Sequence, residues 1–168
     1  MLVPRLDILG GYADVMRYGR YKNVGICTWR GQATGLAVRE VTDIVAGMLA
    51  RGTELYSFIH LVPNRVPLPD SEAREGLIAL MKQYEVRTAC AAIVIGGTGF
   101  WASAMRNAVI GLRVVVPRSF EYRLHGDSDE ILSWLPIAHS KRTGIEVTDH
   151  QLKRVLAESK DWQIAAAS

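Results

Sequence analysis

The stretch CAAIVIGGTGFWASAMRNAVIGL, residues 90–112, decides the predicted fold of this chain. Residues 89–95 are apolar throughout and are followed by glycines, which is typical of a strand buried on both faces of a parallel sheet. After the glycines the apolar residues follow helical spacing, at Trp101, Met105, Val109 and Leu112. A strand, a glycine turn and a helix form half of a β-α-β unit, so the stretch predicts an α/β domain.

The composition indicates an ordinary globular chain of 168 residues, which is enough for one domain with its own core. The net charge is only +3, and no run of Lys or Arg is longer than a pair, so we expect no nucleic-acid-binding face. No apolar run approaches the ~20 residues that span a bilayer, and charges interrupt the N-terminal residues where a signal peptide would be apolar. Cys27 and Cys90 lie in apolar segments without a CxxC motif, which is typical of reduced core residues. We therefore expect a cytoplasmic protein with no transmembrane segment.

The N-terminal residues predict strands. Residues 1–11 end in two glycines and predict an arm or a short edge strand. Residues 12–18 alternate weakly, and residues 24–29 are rich in β-branched and aromatic side chains, so both predict strands. These two strands could form a hairpin, with Gly19 in the turn.

Two helices flank the next predicted strand. Thr34 is a plausible N-cap for a helix that reaches Arg51 and carries Leu36 on its apolar face. Residues 55–62 predict a strand, and a proline-rich loop follows it. Asp70 or Ser71 caps the next predicted helix, which reaches Tyr84. Its core-facing residues are Leu77, Leu80, Met81 and Tyr84.

The C-terminal third continues the alternation. The helix after the glycines extends to Val116; residues 113–116 could instead be a strand, but the helical face of Leu112 continues at Val116, which favours the helix. Residues 120–125 predict a strand and residues 129–135 a short helix, ended by Pro136. Thr148 and Gln151 form a capping box that opens a last helix. We expect an N-terminal arm (1–11), an α/β domain (12–135), and a linker with a C-terminal helix (136–168).

The order β, β, α, β, α, β, α, β, α over residues 12–135 resembles the STAS-like domains, the family of anti-sigma-factor antagonists and sulfate-transporter C-terminal domains. The last third carries the resemblance: a buried strand ACAAIVI, a helix with Gly111-Leu112, a short strand, and an acidic-capped helix with Glu130 and Trp134-Leu135. The resemblance implies a mixed, mostly parallel sheet of about five strands with helices packed on it. It also implies a non-catalytic regulatory or protein-interaction module of the bacterial cytoplasm. Apolar cavities occur in similar folds, so the resemblance also allows a lipid-binding relative.

The resemblance also implies a phosphorylation site. The family's switch is a Ser or Thr at the start of the helix after the third strand, and Asp70-Ser71 falls at that place. The chain departs from the family pattern here, because Glu72 and Glu75 would repel a phosphate on Ser71. A simple helix cap explains both residues without a phosphate.

Two loops form the predicted binding surface for a protein partner or a ligand. Residues 63–71 and 96–99 each follow a strand, and loops after parallel strands emerge at one edge of the sheet. The predicted binding residues are Asn64, Arg65, Asp70, Ser71, Gly96, Gly97, Thr98 and Gly99. Gly97, Gly99 and Ala102 also fit the loose GxGxxA form of a dinucleotide fingerprint, although a tight turn that requires glycine explains them more simply.

The sequence predicts no catalytic residue, metal ligand or cofactor. The four histidines share no ligand spacing, and nothing in the sequence brings a cysteine to a histidine. Two functions stay open: an interaction module with a protein partner, or a binder of a small molecule, nucleotide or lipid, an enzyme included. The sequence also leaves open whether the chain forms homo-oligomers.

Overall fold

A computed structural model describes residues 4–116 and 119–161 of the chain. Its sheet contains six strands in chain order: β1 (Asp7–Tyr12), β2 (Met16–Tyr21), β3 (Val24–Trp29), β4 (Tyr56–Val62), β5 (Thr88–Ile95) and β6 (Glu121–His125). The first three strands pair antiparallel, and β3 to β6 pair parallel. The predicted mixed, mostly parallel sheet is confirmed. It has six strands rather than about five, because the predicted N-terminal arm supplies β1.

Helices cover both faces of the sheet. One face carries α1 (Gly35–Leu49), α2 (Ser71–Gln83) and α3 (Gly99–Val115). The other face carries α4 (Leu135–Thr143) and α5 (Asp149–Asp161). Short 3-10 segments span Glu85–Arg87 and Ser128–Ser133. No helix in the described part of the chain is both long and apolar enough to cross a membrane.

The helix starts follow the local chemistry that the sequence predicts. Thr34 accepts a free N–H of the first turn of α1, from Ala37 at 3.3 Å, and Asp70 accepts the corresponding N–H of Ala73 in α2 at 2.7 Å. Thr148 and Gln151 exchange two hydrogen bonds of 3.2 Å, which is the predicted capping box. Leu36 is an exception to the predicted α1 face, because it is 54% exposed while its neighbours Gly35 and Ala37 are buried.

The two faces of β5 differ in burial. Cys90, Ala92 and Val94 point to the face under α4 and α5, where they join the larger core cluster. On the opposite face Ala91 and Ile93 are only partly buried, although α2 and α3 lie above them. The prediction of a strand buried on both faces therefore holds fully for one face, and the other borders a cavity.

The predicted hairpin forms, but its turn lies elsewhere. Gly19 is inside β2, opposite Ile26, and the turn is made by Lys22 and Asn23 between Tyr21 and Val24. Lys22 adopts a left-handed backbone conformation, with a φ of 51°. The Asn23 side chain fixes the turn by donating to the carbonyl of Leu55 at 2.7 Å.

The prediction that residues 136–147 form a linker is wrong for most of the segment, because it contains α4. Pro136 lies in the first turn of α4, where a missing N–H costs nothing, so it does not end a helix there. The helix ends at Thr143 and is capped by Gly144, whose φ of 73° suits glycine and whose N–H donates to the carbonyl of Ser140. The short helix predicted before Pro136 is the 3-10 segment Ser128–Ser133.

Candidate functional site

A cavity of about 130 Å³, partly open to solvent, lies between the sheet and the helices α2 and α3. Side chains from one face of β2 to β6 form its floor, among them Tyr18, Phe58, His60, Ala91 and Tyr122. Its walls come from α1, α2, α3 and the loop after β4, with Val45, Leu77, Met105 and Pro67 as examples. The cavity is therefore formed by five strands, three helices and the loop after β4.

Small side chains on the sheet and the shallow burial of α2 accompany the cavity. Ala91 lies in the middle of the floor, in register between Phe58 and Tyr122, and its methyl group fills little of the gap above it. Ala73 is the one fully buried residue of α2, while Leu77 and Leu80 are partly buried and border the cavity. Of the described residues that line the cavity, none is Asp, Glu, Lys or Arg. The site suits an uncharged, apolar molecule.

His60 is one of the few polar groups in this lining. Its Nδ1 accepts a hydrogen bond of 3.2 Å from the indole N–H of Trp29, and the two ring planes are 18° apart. Burial lowers the pKa of His60 from 6.5 to about 4, so the imidazole is neutral at pH 7. Because Nδ1 accepts, the single proton of this neutral ring is on Nε2.

Tyr18 is the second such group, and it lies in the same cross-strand row. Tyr18 in β2 pairs with Cys27 in β3, which pairs with His60 in β4. The tyrosine is 1% exposed, and no described residue hydrogen-bonds its hydroxyl. Burial raises the pKa of Tyr18 well above 10, so the hydroxyl keeps its proton. Its ring lies close to Gly25, where an added Cβ would come within 2.5 Å of the hydroxyl oxygen.

The two loops that the sequence predicts as a binding surface meet at the carboxyl edge of the sheet. The N–H of Gly96 donates to Val62 at 3.0 Å, and Asn64 lies so close to Gly97 that a Cβ there would be 2.6 Å from its amide carbon. Gly97 and Gly99 both have positive φ, of 88° and 84°, as the tight-turn interpretation requires.

The remaining predicted residues are spread along the same edge. Arg65 is exposed with a φ of 71°, and Thr98 precedes α3 without a side-chain hydrogen bond to it. Asp70 caps α2, and its N–H donates to Ala33 at 3.1 Å, so this pair lies beside the loop after β3. Ser71 is exposed in the first turn of α2. The described structure thus brings Asn64 to the glycine turn and places Asp70 and Ser71 at the helix start.

Large apolar side chains are exposed at this edge. Leu36, Leu68 and Phe100 lie in or just after the connections that follow β3, β4 and β5, and Phe100 is 92% exposed. The neighbouring Trp101 is held by a 2.7 Å hydrogen bond from its indole N–H to the carbonyl of Val66. The loop after β4 therefore joins this edge to the cavity, which Val66 also lines.

A buried polar cluster lies on the other face of the sheet. The Ser57 hydroxyl is 2.7 Å from Nδ1 of His139 and 3.0 Å from the sulfur of Cys90. Ser57 and His139 have no exposed surface, so no substrate reaches this Ser–His pair as the chain is folded. Among the described residues, no group of three or more His, Cys, Asp or Glu side chains is placed to hold a metal ion.

No protein-family model matches the sequence, and no curated protein shows significant sequence similarity to it. Among solved structures, the chain is similar to an uncharacterised protein of the DUF3478 family with a SpoIIAA-like fold, from Shewanella loihica PV-4. The match covers 80% of this chain and 98% of that chain, with a TM-score of 0.50 and 16% sequence identity. At this identity the likeness concerns the fold alone. The chain has the SpoIIAA-like, and thus STAS-like, α/β fold that its sequence resembles.

Proposed function

We propose that this protein is a non-catalytic STAS-like module that binds a small apolar molecule in the cavity between the sheet and the helices α2 and α3. The cavity itself is the observation that carries the proposal. A volume of about 130 Å³ is close to the ~150 Å³ of an apolar cavity that takes benzene. Because the cavity is partly open, a longer molecule could extend beyond it.

The lining favours this ligand class over a nucleotide. A nucleotide needs donors or cations for its phosphates, and the described lining contains no Lys or Arg. In the glycine turn at residues 96–99, a tight turn alone explains the positive φ of Gly97 and Gly99, without a bound phosphate. An apolar molecule needs neither feature, since burial of its surface supplies the binding free energy.

Filling the cavity tests the proposal. Ala91→Leu adds a branched side chain at the centre of the floor, and Ala157→Leu adds the same atoms at an exposed position of α5, on the other face of the sheet, as the control. Calorimetric titration with ethylbenzene should show binding to the wild type and to the control, and at least a tenfold loss with Ala91→Leu. Mass spectrometry of the purified protein should also find an apolar molecule retained by the wild type. Equal affinities in all three proteins would rule out this cavity as the site.

The carboxyl edge of the sheet supports a second candidate function, binding of a protein partner. Its support is the exposure of Phe100 and Leu68 beside the predicted loop residues Asn64 and Arg65. Exposed apolar groups next to hydrogen-bonding side chains are common in protein interfaces. Co-precipitation from the native cell with Phe100→Ser would test this candidate, with the exposed Ile137→Ser on α4 as the control.

A further inference from the structure

We infer that the cavity selects apolar molecules that carry one neutral hydrogen-bond acceptor, such as the carbonyl oxygen of a ketone or an ester, and that Tyr18 and His60 supply the donors. The inference rests on the proposed function, because it names the ligand class of that same site. It uses two polar atoms of the cavity floor, the Tyr18 hydroxyl and Nε2 of His60, neither of which hydrogen-bonds a described residue.

The Trp29 indole fixes what His60 can offer. An indole N–H only donates, so Nδ1 of His60 must be the acceptor in their 3.2 Å hydrogen bond. The neutral ring then carries its proton on Nε2, which has no partner among the described residues. A ligand in the cavity therefore meets an N–H donor at this point of the floor, and an acceptor atom of the ligand satisfies it.

Tyr18 adds an O–H group that lies over Gly25, beside the row of Cys27 and His60. The Tyr18 side chain is 1% exposed, and its hydroxyl makes no hydrogen bond to a described residue. An acceptor atom of a ligand in the cavity satisfies this O–H group. Gly25 makes this position available, because any side chain there would collide with the phenol. A carbonyl oxygen has two lone pairs and can accept from a tyrosine, from a histidine, or from both.

The lining also requires that the acceptor be uncharged. A carboxylate taken into an apolar cavity keeps its charge only when a cation accompanies it, and the described lining has no Lys or Arg. His60 does not supply that cation, since it is neutral at pH 7. Fatty-acid and nucleotide anions are therefore expected to bind much more weakly than neutral carbonyl compounds of the same size.

Acetophenone and ethylbenzene test the inference, because they share a carbon skeleton and differ by one carbonyl oxygen. Tyr18→Phe removes one oxygen atom, and His60→Phe replaces the imidazole by an apolar ring. We expect one or both variants to weaken acetophenone binding about threefold to tenfold more than they weaken ethylbenzene binding, as for the loss of one net hydrogen bond. Benzoate should bind the wild type at least tenfold more weakly than acetophenone.

Nitrogen NMR of the wild-type protein is an independent readout, since it needs no variant to fold. It should show His60 protonated on Nε2 and unprotonated on Nδ1 at pH 7, with the Nε2 resonance shifting when acetophenone is added. The opposite tautomer, or equal losses for both ligands in both variants, would overturn the inference and leave the apolar site standing. Wild-type protein that binds neither probe would overturn the proposed function as well.

Discussion

Two neutral histidines lie on opposite faces of the sheet, His60 in the cavity and His139 in the core beside Ser57. Burial lowers the pKa of each to about 4, and for His139 the charge of Lys22 adds to the effect. The folded state therefore disfavours the charged form of both rings. The proton equilibrium of each is therefore linked to the free energy of unfolding.

We expect stability to fall as the pH drops from about 6.5 to about 4. In this window the unfolded chain binds protons at histidines that the folded chain keeps neutral, so protonation favours the unfolded state. Protonation at each histidine can lower the free energy of unfolding by up to about 3 kcal/mol, and the full loss is reached near the pKa of the folded state. Urea unfolding at pH 7.5, 6 and 5 measures the loss before most carboxylates titrate. The His60→Phe variant should lose less free energy of unfolding per pH unit than the wild type. An equal loss would contradict the assignment of this effect to His60.

The cysteines should be unreactive in the folded protein. Cys27 and Cys90 are free and fully buried, and burial raises the pKa of both thiols, that of Cys90 to about 11 despite its hydrogen bond to Ser57. The thiolate that reacts with a disulfide reagent is therefore scarce at neutral pH. Labelling by such a reagent should wait for unfolding in urea, and fast labelling of the native protein would show that a cysteine is accessible.

At the scale of the elements, the two isoleucines of β5 should differ in what they contribute. Ile95 is fully buried against Met105 and Val109, whereas Ile93 borders the cavity and is partly buried. Ile95→Ala should cost about 2–5 kcal/mol, while Ile93→Ala should cost less, because its neighbours already leave space unfilled. Urea denaturation of both variants compares the two free energies. A loss at Ile93 as large as at Ile95 would mean that the cavity wall is tightly packed.

The elements that sequence predicted well are those whose causes are local. Thr34, Asp70 and the pair Thr148 and Gln151 satisfy N–H groups a few residues away, so their roles can be recognised from spacing alone. The helix α4 was missed because proline breaks a helix in its interior but is tolerated in the first turn, where Pro136 lies. Tertiary packing decides between these two outcomes.

The cavity could not be predicted from the same information. Periodicity indicates that Leu77 and Leu80 face inward, but it does not tell whether they meet packed atoms or empty space. Likewise, Trp29 and His60 are visible as residues, yet their hydrogen bond depends on the parallel register of β3 and β4. The row of Tyr18, Cys27 and His60 is a property of strand pairing, and it appears only once the sheet is assembled.

For the whole molecule, we expect the carboxyl edge to carry any contact with a protein partner. Changing Asn64 and Arg65 together to Ala should weaken co-precipitation of that partner several-fold and leave the Tm within about a degree, because both side chains are exposed. Deletion of α5 is no control, since Leu152, Val155 and Leu156 belong to the main core.

The matched control changes exposed residues of that helix instead. Lys153→Ala with Arg154→Ala removes two exposed side chains from α5 without touching the core. Unchanged capture by the double variant at the loop, together with loss by the α5 variant, would place the interface on the opposite side of the protein.

The shallow packing of α2 has a consequence for how its amide hydrogens exchange with solvent. A helix with one fully buried residue gains little from its contacts, so it should open locally without unfolding of the sheet. In hydrogen–deuterium exchange, the α2 amides should be replaced well before those of α1 and β5. Saturation with acetophenone should slow them selectively, because a ligand bound beneath this helix stabilises its closed state. Exchange of α2 and β5 at one common rate would show that the domain opens only as a unit.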